Sequence, residues 1–322
     1  MTALPPDCVM PVPAEEYRIR SEDGHWIHAA AFGPEDAPLV VLAHGWTCST
    51  LFWAPVIRRL AADHRVVAYD QRGHGRSDVP PTAAGYSTAK LADDLEAVLL
   101  RVVPDGHQAV VAGHSMGGMT IMAAAERGEV AARTAANLLC STGPGDLLAE
   151  LNVVPAAVPR PLRSFLGRQL LQSRMPLGRS SAVSRAALKY ATMGPDATAD
   201  RVAATAEVVH ACPTGVRYRW SRVLGTLDLY AQVAKLAAPT AVLVGTHDRL
   251  TPPVHSHRLL SALPAPAGLV ELPRIGHMAP VERPAEVADE IRRLAAAHLP
   301  AAGLPAAGLP AARPSRSRKA AS

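Results

Sequence analysis

The sequence predicts an α/β protein with a doubly wound, mostly parallel sheet. Short apolar runs recur along its 322 residues, and one of them passes through a glycine-rich turn directly into an apolar helix. Polar loops follow these runs, and the loops after parallel strands open on one edge of such a sheet, where ligands bind. We interpret the runs at 39–43, 66–69, 109–112, 136–139, 241–244 and 269–272 as buried strands.

The run at 109–112 leads into a serine that stands between two glycines. Ser115 lies in the sequence Gly-His-Ser-Met-Gly at 113–117, and the apolar residues 119–125 predict the helix that follows. A Gly-x-Ser-x-Gly sequence between a strand and a helix is typical of a nucleophile elbow, because neighbours with a Cβ would clash in so tight a turn. The alternative is a glycine-rich turn with an idle serine, since the pattern is short.

An acid and a histidine follow the serine in the chain order expected of a triad on this kind of sheet. Asp248 lies in the turn after the run at 241–244, and His277 lies in the loop after the run at 269–272, before a charged helix at about 284–294. The loops after three parallel strands open on one side of the sheet. Ser115, Asp248 and His277 are therefore predicted to meet in space.

From about residue 17 to residue 298 the chain resembles the α/β-hydrolase superfamily, in its serine-nucleophile branch of carboxylesterases and lipases. Besides the elbow, the sequence His-Gly-Trp-Thr at 44–47 resembles its oxyanion loop. The sequence at 70–77 resembles its Asp-x-Arg-Gly-x-Gly-x-Ser turn. The resemblance implies an eight-stranded, mostly parallel sheet that carries a helical cap.

The predicted chemistry is acyl transfer through an acyl-enzyme that water resolves. His277 is expected to act as general base toward Ser115 and then as general acid, because a serine hydroxyl is a poor nucleophile at neutral pH. Asp248 would hold the imidazole in the correct tautomer. The backbone N–H groups of Trp46 and Met116 are predicted to form the oxyanion hole.

Other polar residues near these motifs are expected to brace the site without reacting. Asp146 is a reserve candidate for the acid, because it follows the run at 136–139, where some members of the superfamily place it. The bracing residues are His44, Asp70, Arg72, His74, His114 and His247.

The motifs also separate chemistries within the superfamily. Epoxide hydrolases and haloalkane dehalogenases attack with an aspartate, so Ser115 excludes both. The sequence Gly-Trp-Thr-Cys-Ser at 45–49 departs from the Gly-Gly-Pro pattern of prolyl aminopeptidases and carbon–carbon bond hydrolases, which disfavours them. A cofactor-free haloperoxidase or perhydrolase and a thioesterase stay open as alternatives. A binding protein on an inactive scaffold would have lost a triad residue, and none is lost.

The chain divides into five segments around one catalytic core. Residues 1–16 form an N-terminal extension, residues 17–142 and 230–298 form the core, and residues 143–229 form the helical cap. Residues 299–322 are expected to be a disordered, Pro- and Ala-rich basic tail.

The cap is expected to select the substrate. An apolar stripe at helical spacing predicts a helix that packs against the main domain. The alternative is that the stripe lines an apolar entrance to the cleft. The interleaved arginines indicate a solvated face, and weak contact with a membrane surface stays open. Apolar walls of the cleft favour an uncharged ester with a short to medium acyl chain or a lipid-derived ester. The candidate wall residues are Trp46, Phe52, Trp53 and Met116. The stripe is Leu162, Phe165, Leu166 and Leu170, and the arginines are Arg160, Arg163, Arg168, Arg174 and Arg179.

Composition adds a few exclusions. No run approaches 18 apolar residues, and the N-terminus lacks the pattern of a signal peptide, so a cytoplasmic protein without stable membrane insertion is expected. No phosphate loop or metal-ligand spacing implies a cofactor or metal. Much of the net charge of +5 lies in the basic tail, so a nucleic-acid partner is not predicted. The oligomeric state is left open. Four scattered cysteines, Cys8, Cys48, Cys140 and Cys212, are expected to be free thiols.

Overall fold

A computed structural model describes residues 4–154, 158–174 and 181–300. Its eight strands form one sheet in the order β1-β2-β4-β3-β5-β6-β7-β8. Strand β2 runs antiparallel to β1 and to β4, and every other pair is parallel, which confirms the predicted doubly wound, mostly parallel fold. The strands are β1 Glu15–Arg20, β2 Trp26–Phe32, β3 Leu39–Ala43, β4 Arg65–Tyr69, β5 Ala109–His114, β6 Thr134–Cys140, β7 Thr240–Gly245 and β8 Pro266–Leu272.

Helices cover both faces of the sheet, which explains why the central strands are apolar throughout. In β3, Val40 and Leu42 pack with α1 and α13, whereas Val41 and Ala43 face α2 and α3. The helices are α1 Ala54–Leu60, α2 Thr88–Val102, α3 Met116–Ala123, α4 Gly128–Arg133, α5 Leu147–Glu150, α6 Arg160–Leu171, α7 Ala182–Thr192, α8 Ala199–Ala211, α9 Thr214–Leu224, α10 Tyr230–Val233, α11 Pro253–Ala262, α12 Ala279–Glu282 and α13 Pro284–His298.

The segment between β6 and β7 contains helices α5 to α10, and α9 ties it to the core. Val216 and Trp220 of α9 are buried in the same apolar cluster as α2 and α3. Within the described residues α6 behaves differently from the prediction, because Leu162, Phe165 and Leu166 are 49%, 56% and 40% exposed. The expected packing of this stripe against the main domain is therefore wrong for these three residues, while the side chain of Leu170 lies outside the described part.

Three smaller findings complete the fold. All four cysteines are buried and free of disulfide bonds. In the described ranges no helix is long and apolar enough to cross a membrane. The sequence places Leu299 in the disordered tail, but Leu299 directly follows α13 and packs against the apolar core. Residues 301–322 lie outside the described residues, as do residues 1–3 of the N-terminal extension.

Candidate active site

Ser115 sits at the turn between β5 and α3, in a backbone conformation that L-residues rarely adopt. Its φ is 52° and its ψ is −115°, and a conformation of this kind costs on the order of 1–3 kcal/mol. Two hydrogen bonds hold it: the Ser115 N–H donates to the Cys140 carbonyl at 2.9 Å, and the Thr142 hydroxyl donates to the Ser115 carbonyl at 2.7 Å. The strain is thus imposed by the neighbouring strand β6.

The two glycines of the elbow are required by close backbone approach. A Cβ on Gly113 would lie 2.4 Å from the carbonyl group of Gly117, and a Cβ on Gly117 would lie 2.1 Å from the carbonyl oxygen of Ala43. Atoms at such distances overlap, so neither position accepts a side chain. The elbow is therefore packed directly against the end of β3, where the oxyanion loop begins.

Asp248 and His277 are brought together at the same edge of the sheet. The Asp248 Oδ2 atom lies 2.8 Å from His277 Nδ1, and both side chains are buried. The other carboxylate oxygen accepts the backbone N–H groups of Leu250 and Thr251, each at 2.9 Å. These bonds fix the carboxylate, and a carboxylate facing Nδ1 selects the tautomer that leaves the Nε2 lone pair free to accept a proton.

Thr251 is a member of this cluster that the sequence did not reveal. Its hydroxyl donates to Asp248 Oδ2 at 3.0 Å and lies 3.2 Å from His277 Nδ1. Thr251 also lines the same cavity as Ser115, so a residue in contact with both Asp248 and His277 reaches the space beside the serine. The Ser115 hydroxyl makes no hydrogen bond to any described residue, and in unliganded enzymes the bond from nucleophile to base is often loose until substrate binds.

The loop that carries His277 is held by a half-buried glutamate. Glu282 accepts the N–H groups of Gly194 at 2.8 Å and Gly276 at 3.1 Å, while the His277 N–H donates to the Thr192 carbonyl at 2.8 Å. Burial raises the pKa of Glu282 above its usual value, against the effect of these hydrogen bonds. The backbone of the histidine is therefore held both from the core and from the end of α7.

His114, next to the serine, supports His277 from the other side. Its Nε2–H donates to the His277 carbonyl at 2.8 Å, and its ring lies 4.8 Å from the His277 ring and 4.5 Å from Phe52. Burial, reinforced by the nearby His277, lowers the pKa of His114 far below its usual value. The ring thus stays neutral and serves as packing.

The oxyanion loop is held on its core side by two further neutral histidines. His44 Nδ1 donates to the Gly45 carbonyl at 2.7 Å, and its Nε2 accepts the Gln71 N–H at 3.0 Å. His74 Nε2 accepts the Thr47 N–H at 3.3 Å. Burial lowers the pKa of His44, and burial together with His44 lowers the pKa of His74 to about 3. Neutral rings are required here because each accepts a backbone N–H.

The predicted oxyanion residues lie on either side of the serine. Met116 is the first residue of α3, so its N–H belongs to the first turn, whose donors the helix itself does not use. Trp46 lies in the loop after β3, half buried at the cavity wall, and its indole N–H donates to the Arg217 carbonyl of α9 at 3.1 Å. Two backbone donors near one serine suit a developing negative oxygen.

The cavity beside Ser115 is small and apolar. Its volume is about 50 Å³, counted as the space open to the centre of a water molecule. Of the wall candidates, Trp46 lines it, whereas Phe52 and Trp53 are core residues. The sequence missed most of the wall, although Leu-Leu at 147–148 was a visible signal. The other described lining residues are Met119, Leu147, Leu148, Leu151, Ser221, Leu224, Gly225, Leu250 and Thr251.

The remaining candidates lie outside this arrangement. Asp146, the reserve acid, is exposed and accepts the Tyr230 hydroxyl at 3.0 Å. His247 is exposed beside Thr246. Asp70 accepts the Thr50 and Arg76 N–H groups at 2.7 and 3.0 Å and so braces its turn.

Arg72 also has a bracing position, because its guanidinium is fully buried and paired. It donates to both carboxylate oxygens of Asp94, at 2.6 and 2.5 Å, and to Asp23 at 2.9 Å. The ion pair ties the turn at 70–77 to α2 and to the β1–β2 hairpin. A buried pair of this kind costs several kcal/mol when one partner is removed.

Comparison with known proteins gives the class. Residues 40–290 match the alpha/beta hydrolase family, and the protein belongs to that family. A putative carbamate hydrolase, RutD of Variovorax paradoxus, is 30% identical over 285 residues, which are 85% of this chain and 99% of RutD. Its sequence runs alongside this one over almost its whole length.

Two further similarities have a narrower meaning. The probable oxidoreductase EphD of Mycobacterium tuberculosis is 39% identical over 103 residues, but these are 32% of this chain and 17% of EphD, so the chain spans less than a fifth of that protein. A thermophilic esterase from Thermogutta terrifontis superposes with a TM-score of 0.69 over 87% of this chain and 97% of its own, at 22% identity. At that identity the likeness shows the fold.

Proposed function

We propose that this hydrolase cleaves uncharged carboxylic esters with short to medium acyl chains, through an acyl-enzyme on Ser115. The observation that carries the proposal is the buried hydrogen bond of 2.8 Å between Asp248 and His277, next to a cavity that Ser115 and Thr251 both line. A carboxylate, an imidazole and a strained serine at one sheet edge are the groups that nucleophilic acyl transfer needs.

In this mechanism the Ser115 Oγ attacks the carbonyl carbon of the ester while its proton passes to His277 Nε2. The negative oxygen of the tetrahedral intermediate is stabilised by the N–H groups of Met116 and Trp46. Asp248 stabilises the imidazolium through Nδ1–H. The intermediate then expels the alcohol, which takes the proton from His277.

The second half of the reaction repeats these steps with water. His277 removes a proton from water, the hydroxide attacks the acyl carbon, and collapse of the second intermediate returns the proton to Ser115 as the carboxylic acid leaves. Ser115 is acylated in the first half of the cycle and freed in the second, and both Ser115 and His277 end the cycle in their starting protonation states. The protein's own residues are therefore sufficient for the reaction.

The cavity supports the choice of substrate. Among the described residues that line it, none carries a charge, and leucines from α5, α9 and the loop after β7 form much of the wall. An apolar wall stabilises an acyl chain by about 0.8 kcal/mol for each buried methylene. A charged acyl group would lose its hydration without gaining a partner.

The test is hydrolysis of p-nitrophenyl esters from acetate to palmitate by the wild type and by Ser115→Ala. We expect the best kcat/KM at short to medium chains and a loss of at least about a thousandfold in Ser115→Ala. The matched control is Ser256→Ala, a buried serine of α11 whose hydroxyl has no partner among the described residues. Equal rates in wild type and Ser115→Ala would contradict the proposal.

A second candidate is a perhydrolase, because peroxide can replace water in resolving the same acyl-enzyme. The cavity beside Ser115 is small and uncharged, which suits a short carboxylic acid and hydrogen peroxide. This observation favours the perhydrolase. A bromination assay with acetate and hydrogen peroxide separates the two. Bromination faster than acetate ester hydrolysis would make the perhydrolase the main activity.

We also propose a cytoplasmic location and a small-molecule ester as the partner. Four free thiols are typical of a reducing compartment. Fractionation of the cells that make the protein tests the location directly.

A further inference from the structure

We infer that Trp46 couples the cap to the oxyanion loop, so that the position of α9 sets the geometry of the oxyanion hole. Trp46 is thereby a positioning residue through its side chain as well as a backbone donor. The inference rests on the proposed function, because an oxyanion hole is used only when Ser115 attacks an acyl carbon.

Trp46 contributes to three features of the site: the contact with α9, the cavity wall and the proposed oxyanion hole. Its indole N–H donates to the Arg217 carbonyl in the first turn of α9, at 3.1 Å. Its ring lines the cavity beside Ser115. Its backbone N–H is the proposed oxyanion donor. A movement of α9 that shifts the indole therefore acts on the backbone of the same residue.

The oxyanion loop is anchored on two sides. On the core side, Thr47 has a φ of 64° and donates its N–H to His74 at 3.3 Å, while the Cys48 N–H donates to the Gly45 carbonyl at 3.1 Å. On the cap side, the bond from the Trp46 indole to Arg217 holds the loop. The core anchors belong to the buried sheet edge, whereas the cap anchor depends on how α9 is seated.

A second indole bond joins α9 to the core, and it provides a comparison. The Trp220 N–H donates to the Arg72 carbonyl at 3.2 Å, and the Trp220 ring packs edge-on against Tyr86. This bond ends on the turn at 70–77 and not on the oxyanion loop. The Arg72 carbonyl also faces His74 Nδ1 at 3.2 Å, so it keeps a donor when the indole is removed.

A bound substrate is expected to affect the oxyanion loop through the contact between Trp46 and α9. Ser221 and Leu224 of α9 line the cavity together with Trp46, so an acyl chain that fills the cavity contacts both Trp46 and the helix to which its indole is bonded. A displacement of about 1 Å at a reacting group costs on the order of a hundredfold in rate. A chain that seats α9 correctly should therefore raise kcat more than it lowers KM.

The experiment compares Trp46→Phe with Trp26→Phe, the same change at a half-buried tryptophan of β2. The rate constant for inactivation by a fluorophosphonate, which forms an oxyanion-like intermediate on Ser115, is measured together with kcat and KM for p-nitrophenyl butyrate. We expect Trp46→Phe to lower the inactivation rate and kcat about ten- to hundredfold while KM changes less than about threefold. Trp26→Phe should change all three by less than about threefold, because Trp26 lies on β2 and does not line the cavity.

A second replacement guards against a simple packing effect. Trp46→benzothienylalanine keeps the size of the ring and removes only the N–H, and it should reproduce most of the loss in Trp46→Phe. Wild-type activity in this variant, or equal losses in Trp46→Phe and Trp26→Phe, would overturn the inference while leaving the hydrolase function intact. No inactivation of the wild type by fluorophosphonate would overturn the proposed function and the inference together.

Discussion

The carboxyl edge of the sheet and the cap helix α6 expose their residues to very different degrees. At the edge, Ser115, Asp248 and His277 are all less than a tenth exposed, and hydrogen bonds fix their backbones or side chains. On α6, Leu162 and Phe165 are about half exposed. The proposed catalytic groups thus depend on the packed core, while α6 can vary without disturbing them.

Within the cap, α9 is the exception to this contrast. Trp220 is fully buried, and the Trp46 and Trp220 indole bonds join α9 to two turns of the core. Helices α5 and α9 supply cavity walls, while described residues of α6 supply none. Selectivity is therefore expected from α5 and α9, and changes in α6 should leave it unaltered.

The largest effect should come from the acid at the sheet edge. Asp248→Asn keeps the shape of the side chain but favours the wrong tautomer of His277, so kcat should fall by about three to four orders of magnitude. Asp146→Asn is the matched control, because Asp146 is exposed and contacts Tyr230. Ester hydrolysis under saturating substrate measures both. A larger loss in Asp146→Asn would assign the acid to the turn after β6.

A cap residue that lines the cavity should change selectivity with a smaller effect. Leu148→Ala enlarges the cavity, so the ratio of kcat/KM for hexanoate to that for acetate should rise about tenfold, the value expected from burying two more methylenes. Leu166→Ala, on the exposed face of α6, should leave the ratio unchanged. A shift of the ratio in Leu166→Ala and none in Leu148→Ala would place the acyl chain under α6.

A further effect concerns stability at acidic pH. The pKa of His74 is about 3 in the folded protein and about 6.5 when unfolded, so the unfolded state binds more protons below pH 6.5. The contribution of neutral His74 is therefore complete above about pH 6.5 and is lost as pH falls toward 3, at about 1.4 kcal/mol per pH unit. Chemical unfolding at several pH values measures this slope.

His74→Gln isolates that contribution. The glutamine carbonyl can accept the Thr47 N–H and does not titrate in this range. The slope of the unfolding free energy against pH between about 4 and 6 should fall by about 1.4 kcal/mol per pH unit relative to wild type. An unchanged slope in His74→Gln would mean that this ring is not held neutral.

Much of the central sheet could be predicted because its strands are apolar on both faces, as in β3 and β5. The β1–β2 hairpin was not predicted, since Glu-Glu-Tyr-Arg-Ile-Arg at 15–20 lies at the sheet edge and is largely polar. The β8 strand begins at Pro266, three residues before the predicted run, because Pro266, Ala267 and Gly268 give no apolar signal.

The site was visible in the sequence only where a motif is local. Ser115 follows from its glycines, and the positions of Asp248 and His277 follow from the strands before them. Thr251 and Glu282 contact segments that are distant in sequence. No sequence motif predicts such contacts. The apolar stripe on α6 shows the opposite case. Its spacing correctly predicted a helix, but the described residues of the stripe are exposed and do not pack against the main domain.

We propose that Ser115, at the buried sheet edge, forms an acyl-enzyme. The most direct test is to mix wild-type protein with p-nitrophenyl acetate, quench with acid within one turnover, and locate the acetyl group by mass spectrometry of the digested chain. We expect one acetyl group on the peptide that contains Ser115 and none in Ser115→Ala. An acetyl group on another residue, or ester turnover with the Ser115 peptide unmodified at every quench time, would contradict the proposal.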